Sequence, residues 1–176
     1  MKTLARTAAA ALFALGLTTP ALAELEKGEA APVFTTKAAM AGKEFGFSLA
    51  NALKKGPVVL YFYPKAFTSG CTLEANAFAE AMPDFKAQGA SVIGMSNDDI
   101  ETLKRFSREE CRDAFPVGVA SFDVMEDYEV GSKDKPYASR TSYVIAPDGK
   151  IATFYSSGDY RQHVSRTLAA VKNLSK

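Results

Sequence analysis

Val58-Val59-Leu60-Tyr61-Phe62-Tyr63-Pro64-Lys65-Ala66-Phe67-Thr68-Ser69-Gly70-Cys71-Thr72-Leu73-Glu74-Ala75 is the stretch on which the fold reading turns. Its first six residues are an unbroken apolar, β-branched and aromatic run, the pattern of a central strand buried on both faces. Pro64 ends the run. A helical pattern starts near Cys71 and continues through Leu73, Ala77, Phe78, Met82 and Phe85 to Gly89. Pro83, which lacks an amide hydrogen, is expected to kink or divide that helix.

Downstream, Ser91 to Ser96 reads as a second buried strand. Asp98 or Asp99 then caps a helix with Ile100, Leu103 and Phe106 on one face. Phe115 to Ala120 reads as a short strand and Val124 to Tyr128 as a short helix. Thr141–Ile145 and Ile151–Tyr155 flank the turn Pro147-Asp148-Gly149, and Tyr160–Leu174 is an amphipathic helix striped by Val164, Leu168 and Val171. Upstream, Glu24 to Ala31 reads as an exposed lead-in. Val33 to Met40 is a strand, Gly42-Lys43 a turn, and Ser48 the N-cap of a helix over Leu49–Lys54. The order strand-helix-strand-helix-strand, then hairpin and helix, predicts an α/β sheet flanked by helices, with its first two central strands parallel. Chemistry in such sheets sits where strands end and helices begin, and Cys71 occupies that kind of place.

The chain has 176 residues, 47% of them hydrophobic and 23% charged, enough for one well-buried domain. Its first 23 residues have a different character. Lys2 and Arg6 precede the uncharged apolar run Ala8–Leu17, and Ala21-Leu22-Ala23 offers small residues for cleavage. This is the pattern of a secretory signal peptide at 1–23, leaving a domain over 24–176 and an exported product, in the bacterial periplasm. Removing Lys2 and Arg6 from 21 basic residues leaves 19 against 20 acidic ones, a net charge of −1. No basic block invites nucleic acid or anionic lipid, and no later apolar stretch is long enough for a membrane span.

Cys71 and Cys111 are the two cysteines. In an exported protein, one structural disulfide is the ordinary reading of such a pair, contributing about 4 kcal/mol by chain entropy. The position of Cys71 suggests chemistry instead. At the first turn of a helix, unpaired amides and the positive end of the macrodipole stabilise a thiolate. Thr68 can turn its hydroxyl back to the sulfur and hold an oxygen beside it, and Pro64 stiffens the loop. Taken singly, Pro64, Thr68, Gly70 and Cys71 each have a plain role as loop breaker, N-cap, turn residue or small buried hydrophobe. The single histidine, His163, reads as a solvated or half-buried imidazole rather than a ligand. No metal cluster or phosphate loop is present in the sequence, so neither metal nor cofactor is expected.

Pro64-x-x-x-Thr68-x-x-Cys71 after a buried strand resembles the peroxidatic signature of the peroxiredoxins. Gly28-x-x-Ala31-Pro32-x-Phe34 is similar to the family's N-terminal motif, and Arg140-Thr141-Ser142-Tyr143-Val144-Ile145-Ala146-Pro147-Asp148-Gly149 to its arginine-bearing strand and turn. Tyr63-Pro64-Lys65 with Gly70-Cys71-Thr72-Leu73-Glu74-Ala75 resembles the Q-type, or bacterioferritin comigratory protein, branch. The resemblance implies a thioredoxin-like fold with a central mixed sheet. It implies a peroxide substrate, a thioredoxin-like dithiol reductant, and a monomer, with a dimer left open. It also implies that the Cys71 thiolate attacks a peroxide oxygen to give a sulfenic acid. In that scheme Arg140 stabilises the thiolate and the leaving oxygen, Thr68 aligns the peroxide, and Glu74, Phe67 and Gly70 support or position.

One departure stands out. Many Q-type members carry a resolving cysteine five residues after the peroxidatic one, where this chain has Asn76. Cys111 is the only other thiol. Three readings stay open for it: an intramolecular resolving thiol, an inert cysteine of a one-cysteine peroxidase, or half of a permanent structural disulfide in a non-catalytic binding module. Sulfurs join only when their Cα atoms come within about 7 Å, so resolution by Cys111 is expected to need unwinding around Cys71.

Overall fold

The computed structural model describes residues 25–174. The segment read as a signal peptide lies outside the described residues. The elements are β1 (Thr35–Met40), β2 (Lys43–Ser48), α1 (Leu49–Leu53), β3 (Val58–Phe62), α2 (Ser69–Ala87), β4 (Ser91–Ser96), α3 (Ile100–Glu109), β5 (Val117–Val119), α4 (Phe122–Asp127), β6 (Thr141–Ile145), β7 (Ile151–Ser156) and α5 (His163–Leu174). A 3₁₀ turn over Tyr160–Gln162 leads into α5.

The strands described form one sheet in the order β2-β1-β5-β4-β3-β6-β7. β3, β4 and β5 are parallel, whereas the β2–β1, β1–β5, β3–β6 and β6–β7 pairs are antiparallel. The sheet is therefore mixed and flanked by helices, with β3 at its centre, as its apolar run foretells. Alternation along β3 divides the core in two. Val58, Leu60 and Phe62 join Leu49, Leu53, Met125 and Tyr128, the layer of α1 and α4. Val59, Tyr61 and Tyr63 join Cys71, Phe78, Leu103, Phe106, Cys111 and Val171, the layer of α2, α3 and α5. Both thiols thus lie on the same side of the sheet.

Several expectations need correction. β2 escapes a pattern reading because Lys43-Glu44-Phe45-Gly46 lies at the sheet edge, exposed on both faces, and carries no alternation. Its hairpin turns on Ala41 and Gly42, both at positive φ, rather than on Gly42-Lys43. Pro83 does not divide α2, which is assigned without a break from Ser69 to Ala87. The lead-in is exposed over residues 26–30, as expected, and its backbone is tied down: the amides of Gly28 and Ala31 donate to the carbonyls of Ile151 and Gly149. Asp99, not Asp98, caps α3, accepting from the Thr102 amide at 2.9 Å. On α5 the buried stripe is His163, Thr167 and Val171, so the imidazole points inward and is neither solvated nor half-buried.

Candidate active site

α2 follows β3 after the loop over residues 63–68. Its buried face carries Cys71, Glu74, Ala75, Phe78, Met82 and Phe85, the i, i+3, i+4, i+7 stripe of an amphipathic helix. Glu74 therefore lies one turn along from Cys71 on the same inward face. Thr68 is the N-cap residue, but its side chain makes no cap hydrogen bond, which leaves the amides of the first turn to whatever sits at the helix mouth.

Arg140 arrives from 69 residues away by sheet register. β6 runs antiparallel to β3 with Thr141 opposite Phe62, so the residue before Thr141 falls beside the end of β3 and the start of α2. Arg140 Nη2 donates to Cys71 Sγ at 3.4 Å, and its Nη1 donates to Glu74 Oε2. Cys71 is 1% exposed, Glu74 0%, and the Arg140 side chain 9%. The fork geometry of a guanidinium explains the choice of arginine, since one planar group addresses sulfur and carboxylate together. Gly70 keeps room for it: a Cβ there would stand 3.2 Å from Arg140 Nη2.

Burial pushes the Glu74 carboxyl up to about 7, against the pull of the adjacent guanidinium. Burial also opposes the charge on Arg140, but Glu74 and Cys71 outweigh it and raise its pKa. The Cys111 thiol is pushed well above the ordinary cysteine value by burial, then by Glu110 and Asp113.

The loop before α2 is held at several points. Thr68 Oγ1 donates to the Lys65 carbonyl at 3.0 Å, so its proton is committed there and its lone pairs remain as acceptors. The hydroxyl was expected against the sulfur; it is turned to the loop carbonyl instead. Phe67 sits at φ 62°, unusual for an aromatic residue, with its ring edge-on to Phe106 and under the Arg105 guanidinium. Asp98, freed from capping, accepts from the Ala66 amide at 2.7 Å and from Ser96 Oγ at 2.8 Å, pinning the loop to the end of β4. Pro64 lines a cleft beside this loop with Lys65, Asn97, Asp98, Pro136 and Tyr137, one that Cys71 does not line.

The structure therefore joins Cys71, Arg140 and Glu74 directly, with Thr68, Gly70 and Phe67 around them. Sequence reasoning missed Asp98 and His163. His163 Nδ1 stands 3.7 Å from Glu74 Oε1. A short polar side chain next to a cap position was the only trace of Asp98, and a polar residue in an apolar helical stripe the only trace of His163.

Cys111 is a free thiol, as is Cys71, and is wholly buried just beyond α3. Asn76 Nδ2 donates to Glu110 Oε2 at 3.2 Å, and Arg112 Nη1 to Glu80 Oε1 at 3.2 Å. The segment carrying Cys111 thus runs beside α2 between Asn76 and Glu80. At about 1.5 Å of rise per residue, that is roughly 8–13 Å along the helix from Cys71.

Residues 27–154 match the family model described as the AhpC/TSA family. The chain belongs to the AhpC/TSA family. Among curated relatives, the chloroplastic peroxiredoxin Q of Arabidopsis thaliana is 34% identical over 152 residues, covering 85% of this chain and 68% of its own. Among solved structures, peroxidoxin BcpB from Mycobacterium tuberculosis matches with a TM-score of 0.77 at 29% identity, covering 85% of this chain and 98% of that one. The bacterioferritin comigratory protein of Xanthomonas campestris, described for alkyl peroxide reduction, matches with a TM-score of 0.69 at 25% identity over 80% of this chain and 92% of that one. The Q-type resemblance of the sequence holds, and the mixed sheet is the thioredoxin-like sheet of the peroxiredoxins. Membership makes this chain an oxidoreductase, a thiol-dependent peroxidase of the AhpC/TSA family.

Proposed function

We propose that the protein reduces hydrogen peroxide and small alkyl hydroperoxides through Cys71, with Cys111 as the resolving thiol and a thioredoxin-like dithiol protein as reductant. The observation that carries this reading is the guanidinium of Arg140, fixed on Cys71 Sγ by one nitrogen while buried Glu74 holds the other. The Cys71 thiolate attacks one oxygen of the peroxide, the S–O bond forms as the O–O bond breaks, and the other oxygen leaves as hydroxide or alkoxide and takes a proton. Arg140 offers positive charge where the leaving oxygen develops its negative charge. Thr68, its own proton committed to Lys65, accepts from the peroxide O–H and holds it in line.

Resolution needs a Cys111 thiolate to attack the Cys71 sulfenic sulfur, expelling hydroxide, which takes a proton to become water, and leaving a disulfide. Two observations favour opening before that step: burial disfavours the Cys111 thiolate, and the Cys111 segment packs more than a turn along α2 from Cys71. The same burial favours a second reading, in which Cys111 stays inert and an external thiol reduces Cys71 directly.

Peroxide consumption with a dithiol reductant tests the reading. Wild type should turn over and Cys71→Ser should not. Cys111→Ser should take one equivalent of peroxide and then stall as sulfenic acid. Continued turnover of Cys111→Ser at the wild-type rate would select the one-cysteine reading. Intact mass after one equivalent, with and without thiol alkylation, reports whether the two sulfurs join. Export to the periplasm is part of the same proposal, supported by the signal-like pattern of residues 1–23. The mass of the product from a periplasmic extract should correspond to a chain starting at Glu24.

A further inference from the structure

His163, the chain's one histidine, opens α5 and is 0% exposed. A buried imidazole has to satisfy both ring nitrogens in place. Nε2 lies 3.1 Å from the Ser157 carbonyl oxygen, which only accepts, so Nε2 carries a hydrogen. Nδ1 lies 2.8 Å from Ser142 Oγ and, in the neutral ring, accepts from that hydroxyl. Glu74 Oε1 stands 3.7 Å from the same Nδ1 and has no hydrogen-bond partner of its own, while Oε2 is taken by Arg140. An unbroken line of contacts thus runs from Cys71 Sγ through Arg140 and Glu74 to His163, contributed by α2, the start of β6 and the start of α5.

Charge balance decides what this line does. With Cys71 as thiolate and Arg140 as cation, the buried cluster is neutral only when Glu74 and His163 together carry one ionisable proton: a carboxylic acid beside neutral imidazole, or a carboxylate beside imidazolium. No such proton leaves a net buried anion, and two leave a net buried cation, each costly out of water.

We infer that His163 is a positioning residue for the peroxide reaction, sharing one proton with Glu74 so that Arg140 stays aimed at Cys71 while that thiol is ionised. The inference rests on the peroxidase reading above. Burial raises the Glu74 carboxyl to about 7, while burial lowers the imidazole against the upward pull of the Ser157 carbonyl, which brings the two groups into competition for one proton. The other charged groups facing the ring are Arg140 and Arg166, which oppose the imidazolium, and Asp159, which favours it. The Tyr155 ring stands edge-on at 4.7 Å, itself covered by Arg166. When the thiolate becomes a neutral sulfenic acid, the cluster loses one negative charge and the shared proton is no longer needed for neutrality. One proton leaves the pair as one is taken up by the leaving oxygen.

His163→Gln keeps an amide that hydrogen-bonds but does not titrate. Rapid mixing of reduced protein with peroxide should show, in wild type, an inflection near neutrality that Glu74→Gln loses and that His163→Gln displaces. Each variant should slow the first turnover by about tenfold, as loss of a supporting hydrogen-bond partner commonly does. The double variant should be no slower than the slower single one, because both changes remove the same device. In the tag-free protein, the imidazole signals belong to His163 alone. Their NMR titration should move to lower pH in Cys71→Ser, which removes the negative charge without changing the fold. An imidazole titration blind to that substitution, or a wild-type pH profile in a folded His163→Gln, overturns the inference. A wild type no faster with peroxide than free cysteine overturns the peroxidase reading instead, and the two failures are told apart by the same samples.

Discussion

Arg140 has two hands and uses both, which makes its replacement informative at the residue scale. Lysine keeps the charge but offers one compact ammonium, which cannot span Cys71 Sγ and Glu74 Oε2 as a planar fork does. Arg140→Lys should therefore slow reaction with peroxide by about a hundredfold, the scale of losing one preorganised donor to developing charge, as stopped-flow oxidation would report. Arg140→Ala removes the cation that pulls the Glu74 carboxyl down, so the pH at which that carboxyl loses its proton in the folded state should rise above about 7, as the pH dependence of denaturant unfolding would report. Glu74 also gives wild-type stability a pH slope. Its carboxyl holds a proton up to about 7 in the folded state, whereas the unfolded chain ionises it from the ordinary value of 4.5 upward. Between those values the native state binds more protons, so this group's contribution to stability falls as pH rises. Glu74→Gln should lose that component of the slope. Thr68 and Cys71 were legible from their spacing with Pro64, and Arg140 only through the resemblance of Arg140–Gly149 to the peroxiredoxin strand and turn. His163 was not, because hydropathy registers a lone imidazole in an apolar stripe as noise, and its burial depends on how α5 is rotated against α2 and β6.

At the scale of elements, most helices and strands announced themselves, and the misses share a cause. β2 has no buried face to impose alternation, and Pro83 is tolerated because the packing of Phe78, Met82 and Phe85 outweighs one lost amide hydrogen bond. Asp98 was read as one of two candidate caps because a side chain's partner across the fold is invisible in sequence. Asp98→Ala would orphan the Ala66 amide and Ser96 Oγ, loosening the loop that carries Thr68. It should lower stability by about 1–3 kcal/mol and slow peroxide reduction without abolishing it, as paired melts and kinetics would show. Beyond α3 the chain is strained: Arg112 and Asp113, directly after Cys111, both adopt positive φ. Neither is glycine, and each pays for the left-handed conformation. Asp113→Gly should relieve this, stabilising the reduced protein by up to about 1 kcal/mol and raising its melting temperature by about 2–4 °C, a shift that calorimetry resolves.

For the whole molecule, the division of the core by the sheet bears on oxidation. Both thiols belong to the layer of α2, α3 and α5, while the layer of α1 and α4 contains neither. The Cys111 segment meets α2 through Glu110 at Asn76 and Arg112 at Glu80, more than a turn beyond Cys71, so the proposed disulfide would ask the backbone to give. In the proposed resolution step something in the first layer would then have to move, and the weakest attachments lie at its ends. The first turn of α2 lacks a side-chain cap bond, and the Cys111 segment is strained and tied to α2 by the Asn76–Glu110 and Arg112–Glu80 contacts. β3 should stay put in that step, flanked by β4 and β6 and buried along its length. Hydrogen exchange of reduced and disulfide forms should separate these parts. On oxidation, amides over residues 69–76 and 107–113 should lose protection, while those of β3 and of the α1 and α4 layer keep theirs. Unchanged protection at the start of α2 in a protein whose mass shows the internal disulfide would mean that the sulfurs meet without unwinding, against the spacing set by Asn76 and Glu80. Protection lost on both faces of the sheet would mean that oxidation loosens the whole domain rather than the layer that holds the thiols.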